Sequence, residues 1–488
     1  MTPSPVASEG MGRNPWWRAL AGAWQADWRE RRRDWRVWLV LALGMLLALC
    51  AGLQTALQLD STRTARALAA QAETERWAHQ GDKNPHSAAH YGVYVFKPLP
   101  TLAALDPGVE KYVGSSVWLE AHKQNDPVYR PASDEPDAVR QFRLTPALLL
   151  QVLAPIAMIF LGFGMFAGER ERGTLPALRV NAAPLGAIGA ARAAVLVCLA
   201  LAIALPACLA VALIHHAGGA SEPFTDAGPR ALWFGLGYLL YLCTWAALIS
   251  AVSAWCATSR ASLGVLIALW ALLTLVAPRA AMELAQSAAP LPSMQQFREN
   301  IDEALGAPHD PVEEEQHKQE LLAQYRVGSV AELPVNWSGL NLARGEARGN
   351  AVFDRYYGEL FDQLQRQGKA AALGGWLSPA VAVAGLSGTL AASDTASHIA
   401  FVRAAEHQRR LMQTTLNDAI TRHPERDGQR WLGDQALWES IPPLHFRYAP
   451  LAARELLQTY LLPLLTLFGA ALLLAVFGIR RLRHGNLK

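Results

Sequence analysis

Six long apolar blocks, near residues 37–57, 145–167, 187–214, 231–256, 262–279 and 455–479, limit what this chain can fold into. Each is close to the ~20 residues that an α-helix needs to cross ~30 Å of hydrocarbon. Charge is nearly absent inside them. Arg192 and Arg230 sit near block ends, where a long side chain can carry its charge to water. Hydrocarbon offers no partner to a free backbone N–H or C=O, so each block is read as a transmembrane helix. The net charge of +3 says little, but its distribution orients the spans. Arg29, Arg31, Arg32, Arg33 and Arg36 precede the first block, and "RRLRHGNLK" follows the last. Positive flanks stay in the cytoplasm, so both termini are expected inside, which requires an even number of spans.

The expected architecture is mainly α: a polytopic membrane protein with six transmembrane helices, N and C termini inside, and a largely helical outer domain built from two insertions. Residues 1–36 read as a cytoplasmic amphipathic helix, 37–57 as span one, 58–144 as the first outer insertion and 145–167 as span two. Residues 168–186 form a cytoplasmic loop, 187–279 hold spans three to five, 280–454 form the second outer insertion, and 455–488 hold span six and a cytoplasmic tail. The first block has the arginine-rich start of a signal peptide. Its apolar run is too long for one, and Leu49 stands where a lipoprotein signal needs a small residue. An uncleaved span is expected.

Trp17, Leu20, Trp24, Trp28, Trp35 and Trp38 recur at helical spacing, with arginines filling much of the rest. That pattern predicts a helix lying in the headgroup layer, with indoles at the interface and guanidiniums toward phosphates. The first insertion begins as a helix continuing out of span one and then turns to aromatic and β-branched residues broken by Pro and Gly, which suggests short strands or loops. The second insertion carries helical patterns at 293–305, 311–326, 340–367 and 394–423, with Asp394 as N-cap of the last. Neither insertion has a complete core of its own, so the two are expected to pack together. The stretch 370–393 is apolar but built mostly of Ala, Gly and Ser, which insert weakly. As a seventh span it would put the basic C-terminus outside, so it is read as a helix packed on the outer membrane face or dipping into it.

Cys50, Cys198, Cys208, Cys243 and Cys256 all lie in the apolar blocks, which excludes a disulfide framework for the insertions. There is no G-x-x-x-x-G-K-[ST] phosphate loop, no G-x-S-x-G elbow and no H-E-x-x-H. The glycines of "GFGMFAG", Gly162, Gly164 and Gly168, lie at the end of span two and read as points of close helix approach. No block carries a central carboxylate, which argues against proton-driven transport. His79, His86 and His90 stand close together in the sequence, but no matching carboxylate or cysteine pattern accompanies them, so they read as polar groups of a wet domain and no metal ligand is assigned.

A dense charge cluster follows span two: Glu169, Arg170, Glu171 and Arg172, then Gly173, Thr174 and Leu175. Glu169 and Arg172 can pair on a helix surface, but such a pair in water is worth under ~1 kcal/mol. Stability alone does not account for the cluster. A short cytoplasmic helix with a charged rim, anchored by Leu175 and Leu178, suits docking of a soluble partner.

The run "GERERGTLPALRVNAAPLGAIGAARAAVL" resembles the loop between spans two and three of ABC-2-type transporter permeases, where an E-x-E-x-G-T-L run introduces the coupling helix. "YGVYVFKPLPTLAALDPGVEKYVGSSVWLEAHKQN", "LPVNWSGL" and "WLSPAVAVAGLSGTLAASDTASHIAFVRAAEHQRRLMQTTLN" are similar to stretches of a permease subfamily with large periplasmic insertions of unknown function. The resemblance implies a bacterial inner-membrane permease without enzymatic activity of its own. ATP and Mg would be bound by a separate ABC ATP-binding subunit, and two permease chains, identical or not, would form the transporter. It assigns ATPase coupling to Glu169, Arg170, Glu171, Arg172, Gly173, Thr174 and Leu175. It also implies segments between spans five and six that dip back into the outer leaflet. Expected partners are the ATPase, the second permease chain, the lipid membrane and a possible periplasmic protein, with no nucleic acid. The alternative is ATP-driven mechanotransmission to a periplasmic partner without solute passage.

Overall fold

The computed structural model describes residues 15–134, 144–180, 184–219, 221–307, 311–424 and 431–484. The first residues of the amphipathic segment, 181–183 of the cytoplasmic loop and the end of the C-terminal tail lie outside the described residues. Helix α1 (Pro15–Arg33) leads into α2 (Trp35–Ala78) and α3 (Pro85–Tyr91). A two-stranded antiparallel sheet follows, β1 (Val93–Phe96) paired with β2 (Ser116–Leu119). Next come α4 (Pro146–Glu171), α5 (Leu175–Val180), α6 (Leu185–Gly218), α7 (Ala227–Trp255) and α8 (Ser259–Ala288). The second insertion contributes α9 (Met294–Leu305), α10 (Pro311–Tyr325), α11 (Trp337–Ala372), α12 (Pro379–Leu390) and α13 (Thr395–Arg422). The last helix is α14 (Ala453–Arg483). Among the described residues, six helices are long and apolar enough to cross a membrane: α2, α4, α6, α7, α8 and α14.

The tryptophan-rich N-terminus is divided between two helices rather than lying on one. Asp34 sits in extended backbone and its carboxylate accepts from the Arg36 N–H at 2.9 Å, capping α2 and ending α1 one residue earlier. Trp24 and Trp28 therefore turn inward against Val37, Leu41, Val195, Leu199 and Ile203. Trp17 and Trp35 stay exposed, at 61% and 67%. Helix α2 has 44 residues, roughly 66 Å at 1.5 Å per residue, so it projects far beyond a bilayer core. It runs along α6, where a Cβ at Gly52 would stand 2.6 Å from Ala207 Cα.

Three spans carry a π-helical stretch, Leu149–Leu153, Ala271–Val276 and Leu457–Leu461, each ending two residues before a proline: Pro155, Pro278 and Pro463. Proline cannot donate to the preceding turn and crowds its carbonyl, and a widened turn relieves the clash. Carbonyls in two of these stretches find side-chain donors. The Tyr241 hydroxyl donates to Gln151 O at 2.5 Å, Trp270 Nε1 to Val152 O at 3.0 Å, and Ser378 Oγ to Leu273 O at 2.5 Å. All three stretches pack against α12.

Helix α12, within 370–393, has 12 residues, about 18 Å, and is too short to span. It is buried against α7, with Leu386 filling the space a Cβ at Gly237 would need and Ser387 Oγ 3.1 Å from the Tyr238 hydroxyl. Ser378 caps it, donated to by Val381 N, and Asp394 caps α13, accepting from Ser397 N at 2.9 Å.

The two insertions build one core. Trp77, Val95, Val117 and Leu119 of the first pack with Phe297, Phe353, Tyr357, Phe401 and Trp438 of the second. Trp77 Nε1 donates to Trp438 O at 3.0 Å, and Trp438 Nε1 returns a bond to Gly81 O at 3.1 Å. Arg409, 1% exposed, is held by Glu406 and donates to Ala121 O at 3.0 Å. Trp438→Ala is expected to destabilise this domain by about 3–5 kcal/mol. Thermal melting and limited proteolysis of the purified chain would register it, and an unchanged profile would contradict the shared core.

Candidate functional site

Span α4 breaks at residues 163–166, between its main body and the turn Ala167–Glu171. The exposed amides are met by serines of neighbouring spans. Ser253 Oγ accepts from Phe166 N at 2.9 Å and Ala167 N at 3.2 Å, and Ser262 Oγ donates to Phe163 O at 2.8 Å. Buried polar backbone must be paired, so these serines fix the geometry of the break.

The charge cluster follows, and its members point in different directions. Glu169 is 8% exposed. It accepts from Arg192 Nη2 at 2.6 Å and from the Thr174 hydroxyl, with Arg172 3.5 Å away. Arg192 also donates to Met165 O and stands 3.8 Å from Asp27 on α1. Asp27 is held by Arg31 at 2.6 Å, and Arg31 donates to Leu161 O at 3.0 Å. Arg170 donates to Cys256 O and, at 3.2 Å, to Ala254 O at the end of α7. Glu171 accepts from Ser259 N at 3.0 Å and Ser259 Oγ at 2.5 Å, so it sits on the first turn of α8. The positive end of that helix favours a carboxylate there.

The turn then closes on Gly173, whose φ of +69° only glycine adopts at little cost. Thr174 N donates to Glu169 O at 3.0 Å, and α5 begins at Leu175. Leu175 is 2% exposed and belongs to the chain's own core, with Leu178 packed against it. The expectation that Leu175 anchors an outside partner meets a different geometry, because the short helix turns its apolar side inward. The exposed face of the corner is made by Glu171, Arg172, Gly173, Thr174, Ala177 and Val180, with Arg260 also exposed at the start of α8. Val180 is 86% exposed.

The three glycines differ. A Cβ at Gly162 would stand 2.6 Å from Leu196 Cδ1 and 2.9 Å from Ile249 Cγ2, so it is a point of close helix approach. At Gly164 and Gly168 the nearest atoms would be 3.7 and 3.4 Å away, an ordinary contact and a slightly tight one.

Sequence reading missed Arg192, Asp27, Ser253 and Ser259. Arg192 looked like a charge at a span end that could reach water. Its 16% side-chain exposure and two carboxylate neighbours make it the hub of the corner instead. An arginine inside the first turns of a span, with a glutamate cluster ending the span before it, was the available signal.

These six spans, with an extramembrane domain threaded between them, define a multi-pass membrane protein. A family model described as ABC-2 family transporter protein matches residues 23–325, and a domain of unknown function, DUF3526, matches residues 293–447. The chain belongs to the ABC-2 family of transporter proteins and is a membrane permease component of an ABC transporter. Membership implies association with an ABC ATP-binding subunit and with the membrane. Comparison with curated proteins and with solved structures gives no match.

Removing Arg192 while keeping Glu169 leaves a mostly buried carboxylate without its main partner, a loss on the order of 3 kcal/mol. Arg192→Met is expected to lower the melting point more than the double variant Arg192→Met/Glu169→Leu, and a double-mutant cycle measures the coupling. Gly162→Val should cost about 1–3 kcal/mol through overpacking, whereas Gly164→Ala should melt like the parent chain.

Proposed function

We propose that the corner at residues 169–180 receives an ABC ATP-binding subunit and passes its ATP-driven movement into the spans. The observation that carries this is the wiring of the charge cluster. Arg192 on α6 takes Glu169, the end of α7 takes Arg170, and α8 takes Glu171, while Arg192 extends the link to α1. A force applied at the exposed residues Arg172, Ala177 and Val180 therefore acts on several helices together. Packed elements with two discrete arrangements are what such coupling requires.

The corner is read as cytoplasmic. Arg31 of the basic N-terminal run donates to Leu161 O beside it, and Arg481 of the basic C-terminal run lies 5.3 Å from the Trp255 ring at the end of α7. Both arginine-rich flanks thus gather at this end, which the positive-inside rule places in the cytoplasm of a bacterial inner membrane. The extramembrane domain would then be periplasmic. A second permease chain, identical or not, would cover apolar span surface, such as that of α8, which packs little within this chain. Nucleotide and Mg would sit in the ATPase.

Mechanotransmission is the second reading, and α2 favours it. The helix is continuous from the corner end into the shared outer core, where Arg66 donates to Lys97 O at 2.5 Å and Trp77 binds Trp438. Such a rod could carry movement to a periplasmic partner without solute passage. Flux into vesicles that hold only this chain and its ATPase would exclude that reading.

The coupling test uses surface residues, because charge reversal at Glu169 would break the internal network. Ala177→Asp combined with Val180→Asp is expected to reduce ATPase co-purification at least tenfold with an unchanged melting point. Undiminished co-purification and ATP turnover would refute the docking site.

A further inference from the structure

Three histidines converge in the extramembrane domain, at a place distinct from the corner. His86 and His90 lie one turn apart on α3, which Asn84 caps by accepting from His86 N at 3.0 Å. The β1–β2 hairpin then returns the chain so that His122, just past β2, meets them. Ring centroids are 4.7, 5.1 and 4.8 Å apart for the three pairs. One possible ligand atom from each residue lies within 4.8 Å of the others. His79, which the sequence groups with His86 and His90, is elsewhere, its Nδ1 2.9 Å from Glu75 O.

We propose that His86, His90 and His122 bind a divalent transition-metal ion, zinc foremost, as a three-imidazole site with a fourth position open to solvent. The Nε2 atoms of His86 and His90 are 3.3 Å apart. Two imidazole nitrogens at ~2.0–2.1 Å from a tetrahedral zinc are separated by about 3.3–3.4 Å, so this pair already has the spacing of two ligands. His90 and His122 are exposed and His86 half-buried, which leaves the site open to ions from solution and gives His122 room to close in. A single hydrogen bond is all the His86–His90 contact can form, whereas a cation at the centre engages all three rings. Imidazole donors select zinc and its d-block neighbours over magnesium and calcium, which prefer oxygen.

A supporting carboxylate is in place. Glu346 Oε1 stands 3.8 Å from His122 Nδ1, and Glu346 is itself held at 2.5 Å by Asn417 Nδ2. A small inward shift of His122 would close this gap to a hydrogen bond at Nδ1, leaving Nε2 as the ligand nitrogen, the usual outer-shell arrangement of a zinc-bound histidine. Glu346 lies on α11 and Asn417 on α13, so a bound metal would tie the first insertion to the second.

The test uses the full chain in detergent, purified without a polyhistidine tag and stripped with chelator. Zinc titration against a chromophoric competitor is expected to give one ion per chain. His90→Ala/His122→Ala should weaken binding at least ~100-fold, and Glu346→Gln by ~10–100-fold. His79→Ala should leave binding unchanged, and magnesium should not compete. X-ray absorption of the loaded chain should show nitrogen and oxygen neighbours near ~2.0 Å. Both mutated histidines are exposed, so the double variant is expected to melt like the parent in chelator, and each single variant should also weaken binding. Lack of stoichiometric zinc in the parent chain, or unchanged affinity in the histidine variants, would overturn the proposal.

Discussion

Backbone polar groups inside hydrocarbon have no solvent to turn to, and the irregular parts of this protein are organised around that constraint. A straight helix satisfies itself. The spans here are interrupted by Pro155, Pro278 and Pro463 and by the break at residues 163–166, and each interruption exposes amides or carbonyls. Tyr241, Trp270 and Ser378 cover freed carbonyls near the prolines, while Ser253 and Ser262 cover the break. A hydroxyl or indole that serves a neighbouring helix's backbone also fixes how the two helices sit. The bundle is held in register by the same contacts that make its irregularities tolerable.

Two places inherit their form from this. One is the pocket around α12, where three π-bulged spans accept a helix too short to cross. The other is the corner after α4. Because the break turns the chain aside, the next turn projects its charges in several directions at once. Glu169 goes inward to Arg192, Arg170 to the end of α7, and Glu171 to the start of α8. Glu169 is largely removed from water, where a charge is costly unless paired, so its pairing with Arg192 resists being pulled apart. In the proposed coupling, that resistance is what lets the corner act as a lever.

The extramembrane domain obeys a different economy of surface. Its core draws on both insertions, and the hydrophobic effect joins them across more than three hundred residues of sequence, with the Trp77 indole donating to Trp438 O and the Trp438 indole to Gly81 O. Helix α2 belongs both to this core and to the bundle.

Apolar block length, the arginine flanks and the cap at Asp394 are local properties, so the sequence alone determined the six spans, most helices of the second insertion and the short helix within 370–393. The charged run after span two was equally legible, since a dense cluster ending a span is visible without any fold. Partnerships were not. Arg192 stands 23 positions from Glu169, Asp27 is farther still, and His122 reaches His86 and His90 only after a hairpin. Periodicity reports which face of a helix is apolar, and it carries no information on which distant side chain will meet that face. The division of the tryptophans at Asp34, the inward turn of Leu175 and the triad of imidazoles were therefore decided by the tertiary structure, where burial selects the pairings that leave the fewest polar groups unsatisfied.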